Sequence, residues 1–494
     1  MAAEATTRES ISFWASVREA LRGTHRDYTS GNLTHAIFLL AVPMVLEMFM
    51  ESLFAIVDIF WVAQLGAESV AAVGLVESML SLVYAVGMGL GLSATAMVAR
   101  RIGEKDGEGA AVAGVQAIAL GLLAGVGMGA PCIYIAPRLL HLMGGSPAIL
   151  ALGTGYARIT MGGCGVVLML FLVNAVFRGA GDAAIAMRVL WISNSINLIL
   201  DPCLIFGIGP FPRLGVTGAA VATLTGRSVG VLYQVYCLHK GGEHIRILVR
   251  HMRLNLSVMV RLIRVSLLGI AQLLTPHIAW VSLIRIISVF GSVAVAGYTI
   301  GIRLFIFSIL PAWGLSGAAA TLVGQNLGAR QPERATESVW KTAMYNMIFL
   351  GGEGLILMIF AQPIVRGFTH DPSIIPLAVS CLRILNVGNV GYAYGMVMLQ
   401  AFNGAGDTLT PTVVNSFGFL LFEIPVAYAL AIPFGMHSQG VSWAIVVAEC
   451  FIAVVSVFLF WRGGVEAGED LAGRKQKAAG CLLKRFTTSD FVSE

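Results

Sequence analysis

Long apolar runs dominate this chain, and strict alternation of apolar and polar positions is rare. Stretches of about 20 or more apolar residues begin near residues 36, 69, 110, 148, 186, 214, 259, 292, 337, 374, 410 and 438, and each can cross a hydrocarbon core of roughly 30 Å as a helix. The strands of a membrane barrel alternate over about ten residues, and these runs are longer and continuous. The pattern predicts an all-α integral membrane protein with twelve transmembrane helices. Upstream, Ile11, Trp14, Val17 and Leu21 recur at helical spacing, with Arg18, Glu19 and Arg22 on other faces. That spacing predicts a short helix lying in the membrane interface.

A shift of 225 residues lays the second half of the sequence on the first without a gap. Gly89-Leu90 falls on Gly314-Leu315, Gly103 on Gly328, Ala110 on Ala335, Arg158 on Arg383, Gly179 through Asp182 on Gly404 through Asp407, and Gly215-Val216 on Gly440-Val441. Constant register implies two pseudo-symmetric six-helix bundles, at residues 34–239 and 258–462. Residues 1–33 form a polar N-terminal segment, 240–257 a basic linker and 463–494 a polar tail, expected to be mobile. An even number of spans per repeat makes the halves parallel about an axis along the membrane normal. Transporters so built place a cavity near the midplane and rock one half against the other.

Composition agrees with a bilayer setting. The 494 residues are 57% hydrophobic and 12% charged, with a mean hydropathy of +0.82, far from soluble averages. A net charge of +5 would suit nucleic acid, but the basic residues gather on one side of the predicted spans. Arg8, Arg100, Arg101, Arg178, Arg188, Lys240, Arg250, Arg330, Arg334 and Arg462 lie there, against Arg138, Arg213 and Arg366 opposite. This bias places both termini in the cytoplasm of a multi-pass inner-membrane protein. The seven cysteines are scattered, with no disulfide or metal spacing. No cleavable signal precedes the first span. Gly87, Gly89 and Gly91 follow no strand, so a dinucleotide loop is excluded, and no nucleotide-driven motor or enzyme motif occurs.

The two halves differ in charge. Glu47, Glu51, Asp58 and Asp201 meet Gln272, Pro276, Leu283 and Val426 under the shift. A charge at the bilayer centre costs about 2.5 to 3.5 kcal/mol on insertion scales, so such acids point to function. Glu47, Glu51 and Asp58 lie within about 40° of one another on a helical wheel. Asn194, Asn197 and Asp201 form a polar stripe on the fifth span. Facing stripes would make an oxygen-lined cage for a proton or Na⁺, titrating as a coupled unit; the same acids could instead serve only as helix-to-helix hydrogen-bonding groups. Pro43 and Pro202 each remove an intrahelical bond beside this region, as conformational switches or as plain structural kinks. Glu353, Glu423 and Glu449 could form a separate cation or drug site. His277 reads as a satisfied hydrogen-bonding residue, and Arg158 and Arg383 as structural partners for a carboxylate or carbonyl.

Between about residues 34 and 462 the membrane region carries recognisable segments, namely Val57-Asp58-Ile59-Phe60-Trp61-Val62 with Leu65-Gly66, Arg178 through Asp182, Asn197 through Pro202, Gly215 through Thr223, Val323 through Ala329, and Asn403 through Asp407. In order and spacing the chain resembles the multidrug and toxic compound extrusion (MATE) transporters. The resemblance implies a twelve-helix, two-lobed fold and H⁺- or Na⁺-driven antiport of small organic compounds, often cationic or amphipathic, with no cofactor. It assigns Asp58 as the essential acid of the first helix and Asn197 and Asp201 as the fifth-helix pair of a cation site in the first lobe. Asn174 and Tyr156 fall at its supporting polar positions, Thr223 and Glu47 are additional candidates, and Pro43 is the bending proline. Glu51 departs from the pattern, which commonly has glutamine there. With no acid in the seventh and tenth spans, the chain looks closer to the DinF-like branch. The rival within the same superfamily is a flippase for a lipid-linked saccharide, which would favour cationic residues around a pyrophosphate. The embedded basic residues are few, namely Arg158, Arg285, Arg303 and Arg383, which favours cationic cargo. A monomer is expected.

Overall fold

The computed structural model describes residues 13–23, 26–241 and 245–487, and every regular element among them is helical. After α1 (Phe13–Arg22), the first lobe comprises α2 (Leu33–Ala63), α3 (Ala67–Gly103), α4 (Gly107–Leu142), α5 (Pro147–Gly162) with α6 (Cys164–Ala180), α7 (Ala183–Phe206) and α8 (Val216–Lys240). The second lobe comprises α9 (Leu256–Ser288), α10 (Ser292–Gly328), α11 (Pro332–Ile359), the short α12 (Ala361–Arg366), and α13 (Ile375–Val387) with α14 (Asn389–Gly404). It ends with α15 (Leu409–Asn415), which continues through a π-helical stretch, Ser416–Glu423, into α16 (Ile424–Ala431), and with α17 (His437–Thr487). Counting α5/α6, α13/α14 and α15/α16 as one column each gives the twelve spans, six per lobe.

Side-chain caps fix several of the starts. Asn32 accepts from the N–H groups of Thr34 and His35, Asp106 from Gly109, Ser146 from Ile149 and Asn255 from Val258; each satisfies a donor that the first turn leaves free. The outer faces are apolar: Leu122, Leu123 and Val126 on α4 are 51%, 64% and 68% exposed. A surface of this kind suits lipid and not water.

The fourth and tenth spans are broken, which the continuous apolar runs do not predict. The fourth bends by 41° between α5 and α6 at Gly163, and the tenth breaks at Gly388, the residue 225 positions later. At Gly163 a Cβ would press on Leu224, so the glycine lets α8 pack against the break. α2 and α7 run through Pro43 and Pro202 without interruption.

The lobes meet along α2, α3, α9 and α10, and the seam obeys the duplication. A Cβ on Gly103 would collide with the backbone of Gln325, and one on Gly328 with the backbone of Arg100. Arg100 and Gln325 are themselves 225 apart, so the two contacts are reciprocal about the pseudo-twofold axis. Gly89 against Gly269 and Gly314 against Met44 repeat the relation deeper in the seam. Bonds across the seam join Ser93 to Ser266 at 2.7 Å, Thr321 Oγ1 to the Arg178 carbonyl at 3.1 Å and Gln325 Nε2 to the Gly179 carbonyl at 3.0 Å. These approaches fall in the half of the molecule nearer the chain termini. Toward the opposite end, Glu77 on α3 and Arg303 on α10 are close enough for their charges to interact yet remain exposed. The close approaches between the lobes thus gather at the end carrying the termini, the closed end of the seam.

The N-terminal segment straps that closed end. α1 turns Ser16 and Ala20 into the bundle and leaves Trp14 76% exposed; the expected interface helix spans residues 10–23, and its first three residues, Ile11 among them, lie outside the described residues. Asp27 binds Lys105 of the first lobe at 2.6 Å. Arg334 of the second lobe donates to the carbonyls of Tyr28 (3.4 Å), Ser30 (2.9 Å) and Gly31 (3.0 Å). The linker docks on α4, with Arg250 and His251 on Glu108 and the Gln116 amide on Arg253 and Asn255. Beyond residue 462 the expected polar tail continues helically, as part of α17, to Thr487; 488–494 lie outside the described residues.

Candidate functional site

The acidic stripe of α2 meets α6, α7 and α8, and the structure divides it into three tiers instead of one cage. In the tier nearest the closed end, Glu47 is 1% exposed. It accepts from Arg178 Nη1 at 2.7 Å and Asn174 Nδ2 at 3.1 Å, while Gln234 donates to Asn174 Oδ1 at 2.7 Å. Asn174 therefore supports Glu47, and not the Asp58–Asp201 region where the family resemblance puts it. Arg178, read from the sequence as a residue of the basic side, reaches back into the bundle.

In the middle tier Glu51 accepts from Asn194 Nδ2 at 3.1 Å and from Arg227 Nη2 at 3.4 Å. Arg227, on α8, is 2% exposed. It donates to the Tyr84 hydroxyl at 3.0 Å and stands over the rings of Phe54, Tyr84 and Phe171 at 5.5, 5.6 and 5.8 Å, a cation–π enclosure. The sequence reading counts Arg158, Arg285, Arg303 and Arg383 as the embedded basic residues and misses Arg227. Its signal is present: one arginine inside the α8 run, four residues beyond Thr223.

The third tier holds Asp58, Asp201, Asn197, Thr223 and Tyr156. Asp201 is fully buried and Asp58 nearly so. Asn197 Nδ2 reaches Asp201 Oδ1 at 3.1 Å and Thr223 Oγ1 at 3.0 Å. Asp201 Oδ2 and Asn197 Oδ1 have no hydrogen-bond partner. Asp58 lies within charge-interaction range of Asp201, Glu77 and Arg227, and Tyr156 within range of Asp58. Two buried carboxylates with oxygen lone pairs to offer and a neighbouring amide, hydroxyl and phenol can hold a proton or a hard cation.

A cavity of about 500 Å³ lies between the lobes and extends into the second. Glu47 and Arg178 line it on one side; Asp58 and Asp201 do not. On the other side it is lined by Gln272, Tyr298, Tyr392, Asn415, Glu423 and Glu449 among others. Glu423 and Glu449 thus come together, whereas Glu353, on α11, does not line the cavity. His277 hydrogen-bonds the Leu273 carbonyl at 2.9 Å, and Arg383 the Met358 carbonyl at 3.1 Å, the structural roles their sequence context suggests.

The sequence model of the MatE family matches residues 43–203 and 268–429, one match per lobe. The chain belongs to the MatE family. Among curated relatives of this MatE protein, the probable multidrug resistance protein NorM of Thermotoga maritima is 26% identical over 432 residues, covering 86% of this chain and 91% of that one. A protein named FAD transporter from Shewanella oneidensis is 28% identical over 378 residues, covering 76% and 83%. Among solved structures, an outward-facing multidrug resistance MATE transporter superposes with a TM-score of 0.84 at 28% identity, covering 90% of this chain and 98% of the other. A transporter of Pyrococcus furiosus described as having a binding pocket of reversed polarity gives 0.83 at 27% identity, covering 91% and 99%. The twelve-span, two-lobed architecture of the MatE protein is that of these transporters.

Proposed function

We propose that this MatE protein is a multidrug exporter, an antiporter that exchanges H⁺ or Na⁺ for small organic compounds, with Asp58 and Asp201 as the ion-coupling pair. One observation carries the assignment. Of the four acids on α2 and α7 that the second half lacks, Glu47 and Glu51 hydrogen-bond to Arg178 and Arg227, while Asp58 and Asp201 bond to no arginine among the described residues and Asp201 keeps an open oxygen. Glu47 and Glu51, each tying α2 to neighbouring helices, hold the helix in place; Asp58 and Asp201, which repel each other when both are ionised, respond to an added cation. Asn197, Thr223 and Tyr156 complete the donor set, and Asn174 acts through Glu47. Coupling in the first lobe is the arrangement of the DinF-like branch.

The positive bias makes the closed end cytoplasmic, with both termini there, in an inner membrane, and the protein works as a monomer. A cation entering at Asp58 and Asp201 removes their mutual repulsion and favours closure of α2 on α7. Pro43 and Pro202 leave the carbonyls of residues 39 and 198 without their intrahelical donors, so that α2 and α7 bend at low cost. Each charge moving inward at 100 mV supplies about 2.3 kcal/mol, enough for roughly a fiftyfold gradient of cargo.

The test is ethidium efflux from energised vesicles under separate proton and sodium gradients. Wild type exports under one of them, and Asp58→Asn abolishes gradient-driven export at equal expression, whereas Leu283→Ala at the duplicated position leaves coupling intact. Normal export by Asp58→Asn removes the assignment. The Shewanella relative's name, like the flippase alternative, introduces an anionic cargo; no transport of ethidium by wild type under either gradient favours that reading.

A further inference from the structure

We propose that the second lobe contains a binding site of its own for an aromatic organic cation, whose charge is received by Glu423 and Glu449 in the cavity wall. Glu423 is 3% exposed and its Oε2 has no hydrogen-bond partner. The Tyr298 hydroxyl, Asn415 Oδ1 and Gln272 Oε1 are likewise buried without partners, and all four groups line the same cavity. Buried polar atoms are ordinarily satisfied, so several left open around one space indicate that something else completes them. Glu449 takes a hydrogen bond from Tyr392 and lies within charge-interaction range of Glu423.

Nothing in the described wall neutralises the two carboxylates. Arg178 is bound to Glu47, and His277 to the Leu273 carbonyl. The duplication explains the missing positive charge. In the first lobe Arg227 is an internal cation for Glu51; the residue 225 positions later is Ile452, which lines the cavity. Glu423 stands three residues before Val426, the counterpart of Asp201, and Glu449 replaces Leu224. The second lobe therefore has acids on the two helices that correspond to α7 and α8 and lacks the arginine that would hold them.

The local backbone suits a site. Glu423 closes the π-helical stretch Ser416–Glu423, and such widened turns recur where a helix turns a side chain toward function. Trp280, Trp313, Phe305 and Phe419 line the cavity; aromatic faces attract cations and stack on planar ligands. Acid, aromatic walls and a volume of about 500 Å³ together fit a planar cation of drug size. This deepens the export reading by naming a cargo class and its seat, yet binding itself requires no gradient.

Ethidium binding to the purified full-length protein in lipid nanodiscs, read by fluorescence, tests it. Wild type binds ethidium; Glu423→Gln and Glu449→Gln each weaken binding by about tenfold or more, the loss for one charge-assisted contact. Ile452→Lys, which places a fixed cation beside the acids, abolishes binding, and Ile452→Met preserves it. Wild-type affinity in the folded Glu423→Gln/Glu449→Gln double variant overturns the proposal. So does binding of neutral phenanthridine to wild type as tight as that of ethidium, a result independent of any variant's folding. If wild type shows these binding results but no gradient-driven efflux, the antiport reading falls and the site stands; efflux with binding indifferent to both glutamates gives the reverse.

Discussion

Arg227 is an ionised group enclosed by three aromatic rings and one carboxylate, and removing it would leave Glu51 without its cation. Breaking a buried pair from one side costs more than the pair itself contributes. Arg227→Gln is therefore expected to destabilise the protein by about 3 kcal/mol, and adding Glu51→Gln to recover most of the loss; a thermal-melting double-mutant cycle in detergent measures both. A second prediction lies outside the membrane. Partial burial pushes the Asp27 carboxyl up, but hydrogen bonds from Lys105 and Thr29 outweigh it and hold it at about 2, against an ordinary 3.8. With the folded value depressed, its stabilisation is complete above the ordinary value and disappears as pH falls through about 2. Asp27→Asn removes that acid-side dependence, by no more than about 1 kcal/mol because the pair is half exposed; acid melting of wild type beside the variant checks it. At this scale the sequence is informative about acids and poor about their partners. Glu47, Glu51, Asp58 and Asp201 stand out because a carboxylate in an apolar run is costly. Which of them is already neutralised depends on α6 and α8 folding back onto α2, and no spacing within α2 encodes that.

At the scale of elements, the starts of all twelve spans follow from hydropathy within a few residues, because lipid imposes length and apolarity on each. The breaks at Gly163 and Gly388 are hidden from hydropathy, since both arms of each bent span are equally apolar; only the duplication of the glycine marks them. The π-helical stretch before Ile424 has no signature in composition for the same reason. Seam glycines are legible as duplicated positions, but their purpose requires the packing. Gly103→Ala or Gly328→Ala inserts a methyl into a backbone contact, and overpacking of this kind costs about 1 to 3 kcal/mol. The expected outcome is a shift toward separated lobes at the closed end, seen as wider spin-label distances between α3 and α10 than in wild type, with Gly107→Ala, which meets open space, as the neutral control.

At the scale of the whole molecule, the chain is a pair of similar bundles made unequal by charge: the first encloses its own arginine and the second faces a cavity with unneutralised acids. The pseudo-twofold explains why the seam is reciprocal, while the N-terminal strap breaks the symmetry by crossing from one lobe to the other. That strap has a consequence for speed. Under the proposed antiport cycle, its three bonds from Arg334 to the backbone of Tyr28, Ser30 and Gly31 let go as the lobes separate at this end, a step in which neither ion nor cargo takes part. Turnover is then bounded by a thermal clock internal to the chain, so that export rates level off as the driving gradient rises; Arg334→Ala should lift that plateau severalfold, about the effect of losing 1 kcal/mol of net bonding, in rate measurements at saturating ethidium.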